Sequence, residues 1–336
     1  MKNSPSKKCA VVTGGCGFIG SHMVDLLLNE GFEVRVIDNM ITGRPDNLKH
    51  HANNQSCIVE KADIGDLKED SPLFKDVDYV FHFAGIGDIV PSIENPREYL
   101  RANVQGTVAV LEAARHAGTV KKVVYAASSS CYGLAKELPT TENAPVNTEY
   151  PYALSKNLGE QALLHWHKVY RLPVNSLRIF NAYGPRSRTS GAYGAVFGVF
   201  LAQKLQDKPF TVVGDGTQKR DFVYVTDLVR AFYAAAGTET SGEIFNIGAG
   251  NPQPINRLVT LLGGPVVYVP KRPGEPDCTW ADIAKAQKKL GWSPKVSFEE
   301  GVAVMMKQID DWAKAPLWTP ENIARATKTW FEYLAP

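Results

Sequence analysis

Residues 11 to 22 read Val-Val-Thr-Gly-Gly-Cys-Gly-Phe-Ile-Gly-Ser-His, and this segment restricts the fold more than any other. Lys8 to Thr13 is a short apolar run of strand type, and Phe18 to Asn29 carries Ile19, Met23, Leu26 and Leu27 at helical spacing. Between them Gly14, Gly17 and Gly20 recur at three-residue intervals. A strand, a glycine turn and a helix in that order open a βαβ unit. The glycines supply a tight turn, close approach of backbone N–H groups to a pyrophosphate, and close packing of helix on strand. A second strand, Glu33 to Ile37, ends at Asp38. A carboxylate there accepts hydrogen bonds from the adenosine ribose hydroxyls and repels a 2′-phosphate, so the pattern predicts a dinucleotide site for NAD rather than NADP.

Further strands are predicted at Cys57 to Lys61, Asp78 to Phe83, Lys122 to Ala127 and Val174 to Ile179, with helices near 97–117 and 152–170. This alternation implies an α/β fold, a Rossmann-type doubly wound parallel sheet spanning residues 1–180. Ligands of such sheets bind beyond the carboxyl ends of the strands. Asp63 follows the third strand, Ala84 and Gly85 the fourth, and Ser128 the fifth. After residue 180 short strands (Phe210 to Val213, Ile244 to Ile247) mix with Gly- and Pro-containing loops and helices, one near 298–314. A smaller C-terminal α/β lobe is therefore expected over 181–336, with some segments returning to the first sheet. The cleft between the lobes is the expected substrate site.

Composition removes several function classes. A net charge of +2 over 336 residues gives no case for nucleic-acid binding. There is no apolar run of about 18 residues, and the first residues lack the hydrophobic region of a secretion signal, so a cytoplasmic protein without a membrane span is expected. The five cysteines form no C-x-x-C pair, which predicts reduced thiols and no metal site. His165 and His167, two apart in a helical stretch, do not share a face.

Chemistry enters at Tyr152-Ala-Leu-Ser-Lys156. Pro151 suits a helix start, and the i, i+4 spacing puts both side chains on one face. A free phenol titrates near 10 and is a poor base at neutral pH; an adjacent ammonium and a positively charged nicotinamide favour the phenolate. Tyr152 then acts as general base, Lys156 holds the nicotinamide ribose, and Ser128 relays the proton. A non-catalytic dinucleotide sensor on the same fold would be marked by loss of Tyr152, Lys156 or Ser128, and all are present.

Taken with Asp38-Asn-Met-Ile-Thr-Gly43, Ala126-Ala-Ser-Ser-Ser-Cys-Tyr-Gly133, Asn181-Ala-Tyr-Gly-Pro, Arg220-Asp-Phe and Arg272-Pro-Gly-Glu, these segments resemble the extended short-chain dehydrogenase/reductases that act on nucleotide sugars. The resemblance runs from about residue 8 to 304 and is greatest to the UDP-hexose 4-epimerases, especially their UDP-N-acetylglucosamine and UDP-uronic acid branches. It implies NAD bound by Gly14, Gly17, Phe18, Ile19, Gly20, Asp38, Asn39 and Gly43, by Asp63, Ile64, Ala84, Gly85 and Asn103, and by Ala126, Tyr152, Lys156 and Phe180. It also implies substrate contacts from Ser128, Ser129, Ser130, Tyr152 and Asn181, Arg220 and Arg272 clamping the pyrophosphate, and Val196, Thr211 and Val213 along the base. A homodimer built on the helices near 100–117 and 153–170, and a use in cell-envelope polysaccharide supply, follow from the resemblance alone. The tail after about 310 lies outside it, and its tryptophans are expected to be packing residues.

The residues after Ser128 bear on which reaction is run. In the resembling 4,6-dehydratases the next two positions are Asp and Glu, and in the uronate decarboxylases the second is Glu; here they are Ser129 and Ser130. Neither is a carboxyl acid or base. Cys131 stands one residue before Tyr132 rather than two, unlike the catalytic cysteine of the 3,5-epimerases, and is expected to pack. What remains is oxidation at C4, rotation of the 4-keto sugar and reduction on its other face. Reduction, uronate decarboxylation and epimerisation at another carbon stay open as alternatives. Thr279 falls where some resembling epimerases carry a bulky Tyr, which implies room for a 2-acetamido group, whereas Arg188 could instead pair with a uronate carboxylate.

Overall fold

The apolar runs of the first half assemble into one seven-stranded sheet in the computed structural model, which describes residues 7–187 and 196–334. Strand β1 (Cys9–Thr13) leads through α1 (Phe18–Asn29) to β2 (Glu33–Asp38), β3 (Cys57–Lys61) and β4 (Tyr79–His82). Helices α2 (Ile89–Glu94), α3 (Pro96–Leu100) and α4 (Gly106–Ala117) precede β5 (Lys122–Ser128), and α5 (Pro151–Tyr170) precedes β6 (Val174–Ile179). The strand order is β3-β2-β1-β4-β5-β6 followed by a late strand, Glu243–Ile247, and every neighbouring pair is parallel. The order reverses direction between β1 and β4, which opens a crevice at their carboxyl ends.

Both faces of the central strands are covered, so β1 and β5 read as nearly unbroken apolar runs, whereas the edge strand β3 is largely exposed. Ala10, Val12, Val34 and Val36 pack on the α1 side with Met23, Leu27 and Phe232. Their alternates Cys9, Val11, Val123 and Tyr125 pack on the other side with Leu111 of α4 and Leu163 of α5. Period-two alternation therefore splits one strand between two cores.

The second half builds a lobe from short pairs. β7 (Asn181–Tyr183), α6 (Val196–Leu205), β8 (Phe210–Val213), β9 (Lys219–Arg220), β10 (Phe222–Tyr224) and α7 (Val225–Gly237) come first. After these come β11 (Glu243–Ile247), β12 (Gln253–Pro254), α8 (Ile255–Leu262), β13 (Val266–Val269), α9 (Ala284–Leu290) and α10 (Phe298–Lys307). β7 pairs with β10 and β8 with β13 in parallel, and β9 pairs antiparallel with β12. A third core of Tyr183, Phe197, Phe200, Phe222, Leu258 and Trp312 holds the lobe together. β11 returns to the main sheet beside β6, and α7 packs against α1.

Two sequence expectations are modified. The helix expected near 97–117 is broken by a π-helical turn at Arg101–Gln105, which carries the buried Asn103. The helix expected at 298–314 ends at Lys307, and a tighter turn at Ile309–Trp312 buries the Trp312 indole in the third core. The tail then forms α11 (Pro320–Ala326) and α12 (Lys328–Leu334). Among the described residues no helix is long and apolar enough to cross a membrane.

Candidate active site

The glycine turn forms as its spacing demands. Gly14 sits at φ +68, and a Cβ on it would lie 2.7 Å from the Ala84 backbone nitrogen. The Gly17 N–H donates to the Gly14 carbonyl at 3.0 Å, and a Cβ on Gly20 would collide with that same oxygen. The free N–H groups at the start of α1 therefore close one side of a cavity of about 440 Å³ above the β1/β4 crevice. Its wall includes Gly14, Gly17, Phe18, Ile19, Gly20, Asp38, Asn39, Asp63, Ile64, Ala84, Gly85, Ala126 and Phe180 from the sequence-predicted set.

Asp38 lies at one end, where the Cys16 N–H donates to Oδ2 at 2.9 Å and the Met40 N–H to Oδ1 at 2.8 Å. Burial pushes its carboxyl up and these bonds pull it down. Gly43 stands behind the wall, where a Cβ would lie 2.5 Å from the Asp38 carboxylate. Asn103 also stands behind it. Its carboxamide accepts from the Ile86 N–H at 2.8 Å and donates to the Ile86 carbonyl and Ser155 Oγ at 2.9 Å, so it shapes the Gly85-Ile86 loop rather than facing the cavity. Asp38→Ala is expected to cut the preference for NAD over NADP about tenfold, roughly 1.4 kcal/mol, as read from competitive binding of the two dinucleotides.

Tyr152 and Lys156 lie one turn apart at the start of α5, and with Ser128 at the end of β5 they close the far end of the cavity. Ser128 accepts from the Ser130 N–H at 3.2 Å and its Oγ donates to Ser130 Oγ at 2.9 Å. The Lys156 ammonium lies 4.5 Å from the centre of the Tyr125 ring. Burial pulls Lys156 down to about 7, against an upward pull from Glu160. Burial pushes the Tyr152 phenol up while its hydrogen bond with Ser128 pulls it down. In the polypeptide alone, desolvation acts on both groups and favours their neutral forms.

A second cavity of about 560 Å³ opens from the same point into the smaller lobe, and Ser128, Tyr152, Gly87 and Phe180 belong to both. Its wall brings together Ser129, Ser130, Asn181, Val196, Thr211, Val213, Arg220, Arg272 and Thr279. Arg220 donates to Glu275 at 2.8 Å and to the Lys219 and Pro276 carbonyls at 2.9 Å, and Arg272 lies 3.8 Å from the other Glu275 oxygen. The Thr279 hydroxyl donates to Asn181 Oδ1 at 2.8 Å and accepts from the Asp221 N–H at 3.1 Å, so besides being small it orients Asn181. Arg188 lies outside the described residues.

Cys131 is buried with Tyr132, Phe180 and Ala281, and burial pushes its thiol up to about 12. The five cysteines are free thiols. One group with metal-ligand spacing, Asp25 with His50 and His51, was not visible in the sequence; there the Arg186 guanidinium lies 2.8 Å from the carboxylate and supplies the opposite charge. The sequence reading also missed Glu275, which the Arg-Pro-Gly-Glu segment already offered, and Tyr150, Trp318 and Trp330, which line the second cavity.

Residues 10–248 match the model of the NAD dependent epimerase/dehydratase family. A UDP-glucose 4-epimerase of Mycolicibacterium smegmatis is 37% identical over 302 residues, covering 87% of this chain and 96% of that protein. Two solved structures superimpose with TM-scores of 0.84, each covering 90% of this chain and 99% of the other. They are the UDP-N-acetylglucosamine 4-epimerase of Methanobrevibacter ruminantium, 32% identical, with UDP-N-acetylmuramic acid, and the UDP-glucuronic acid 4-epimerase of Bacillus cereus, 33% identical, with UDP-glucuronic acid and NAD. With its glycine turn, its Tyr152–Lys156 pair and its parallel sheet, this chain belongs to the NAD dependent epimerase/dehydratase family.

Proposed function

We propose that the protein is an NAD-dependent epimerase that inverts C4 of a UDP-hexose. The observation that carries this reading is the junction of the two cavities at Tyr152 and Ser128, with Ser129 and Ser130 on the sugar side where elimination would need carboxyl groups. The first cavity fits a dinucleotide: a glycine-built helix start, the Asp38 carboxylate at one end and the buried Lys156 amine at the other. When bound, NAD supplies the acceptor and donor for the C4 hydrogen and a positive charge beside Tyr152.

The chain's own residues do the rest. Tyr152 removes the proton of the C4 hydroxyl and later restores it, Ser128 stabilises the deprotonated phenol, and Lys156 holds the ribose. Arg220 and Arg272 take the pyrophosphate, where bidentate guanidinium geometry suits phosphate oxygens. Val196, Thr211 and Val213 line the base. The anchored nucleotide leaves the sugar free to turn over between the two half-reactions. A homodimer through the outer faces of α4 and α5, and a role in cell-envelope polysaccharide supply, belong to the same proposal.

The test is incubation of the purified protein with UDP-, dTDP-, GDP- and CDP-sugars in deuterated water, with products identified by NMR. A UDP-sugar 4-epimer without solvent deuterium at C4 is expected, and denatured protein should release NAD. A 6-deoxy-4-keto product, or carbon dioxide from UDP-glucuronate, would overturn the reading. In the same panel Thr279→Tyr should reduce the use of UDP-N-acetylglucosamine more than that of UDP-glucose.

A further inference from the structure

The tail beyond the resembling region runs along the second cavity. Ala315, Pro316, Trp318 and Trp330 all stand in its wall. Near the residues assigned to the base, the Trp318 carbonyl accepts from Gln203 Nε2 at 2.7 Å, and that nitrogen also donates to Thr211 Oγ1 at 2.8 Å. At the phosphate end the Trp330 indole is buried, and its N–H donates to the Pro273 carbonyl at 2.7 Å. The Arg272 guanidinium lies 5.3 Å from the centre of the indole, and the Tyr150 ring is 6.4 Å away. α12 also reaches the first lobe, where Thr329 Oγ1 donates to Glu94 of α2 at 3.1 Å.

We propose that the tail is a strap closing one wall of the nucleotide-sugar cavity, and that Trp330 is a positioning residue that holds Arg272 ready for the diphosphate of a nucleoside diphosphate. This rests on the reading of the second cavity given above. An arginine beside a carboxylate will pair with it, and Glu275 already accepts from Arg220 and lies 3.8 Å from Arg272. The indole offers the guanidinium a second contact that competes with the carboxylate for its position. The N–H bond to Pro273 fixes the ring to the residue that follows Arg272 in the chain, so ring and guanidinium keep a common frame.

The test is titration of the full-length protein with UDP and, by NMR, with uridine. Trp330→Leu is expected to weaken UDP binding about tenfold, or roughly 1.4 kcal/mol, with uridine binding and NAD content unchanged. Arg272→Ala should weaken UDP at least as much, and the double variant should be no weaker than Arg272→Ala alone, because both changes remove one interaction. Trp330→Phe keeps a ring but cannot donate to Pro273. It should lose less, about two- to fivefold, and it carries the test if the leucine variant does not fold. Parental UDP affinity in both Trp330 variants, equal losses for uridine and UDP, or additive losses in the double variant would overturn the positioning role. Parental UDP affinity in Arg272→Ala would instead overturn the assignment of the cavity itself.

Discussion

Tyr152→Phe lowers turnover by about 10² to 10⁴, the usual loss when a general base is removed, while NAD content and UDP affinity stay at parental levels. The ring keeps its contacts with Tyr99 and Tyr150, and only the hydroxyl shared by the two cavities is lost. Turnover within a few-fold of the parent would remove Tyr152 from the mechanism. The companion change, Ser128→Ala, has a pH signature. Ser128 pulls the Tyr152 phenol down against burial, so its loss leaves the phenol higher. With the phenolate as the proposed base, the rising limb of the kcat–pH profile should move to higher pH in Ser128→Ala.

Glu160→Ala is expected to cost about 3 to 5 kcal/mol of stability, the range for removing one partner of a buried ion pair, measured by denaturant unfolding. Glu160 lies one turn beyond Lys156 on α5 and is paired with Arg178 of β6 at 2.5 and 3.1 Å, with both side chains buried. Ser176 Oγ adds a bond at 2.7 Å, and the guanidinium also lies 4.8 Å from the Tyr132 ring centre. Truncation strands the Arg178 charge with no carboxylate. A loss below about 1 kcal/mol, the level of an exposed pair, would show that water reaches Arg178. Replacing both partners with methionine should recover much of the loss, because the stranded charge is then absent.

The first half was legible because its central strands are buried on both faces, so β1 and β5 leave continuous apolar runs, whereas the buried Asn175, Ser176 and Arg178 interrupt that of β6. The positions of Gly14, Asp38, Ser128, Tyr152 and Lys156 in the cleft follow from that order, because strand ends in such a sheet converge on one crevice. The second lobe was less legible. β9 and β12 hold two residues each, too few to show a period, and the third core is fixed by long-range contacts such as Trp312 with α6. Trp330 could not be placed for the same reason: nothing local in Lys328–Leu334 shows that its indole meets Arg272. Asn103 was found but its task was not, since a π turn leaves no mark in residue spacing.

The cleft is made of two kinds of material. Beneath the dinucleotide cavity, Thr13 Oγ1 bonds His82 Nδ1 at 2.6 Å, His82 Nε2 bonds Thr107 Oγ1 at 2.9 Å, and Thr107 donates to the Asn103 carbonyl at 2.7 Å. Burial holds the His82 imidazole down to about 3, so it stays neutral and bridges both threonines across the working pH range. The glycine turn, the Gly85 loop and α4 are thereby tied into one stiff block. The opposite wall consists of two-stranded ribbons and a terminal helix anchored at a few points. The side proposed to hold the dinucleotide is thus cross-linked by buried polar bonds, and the side proposed to receive the sugar is assembled from short strand pairs around a core of its own.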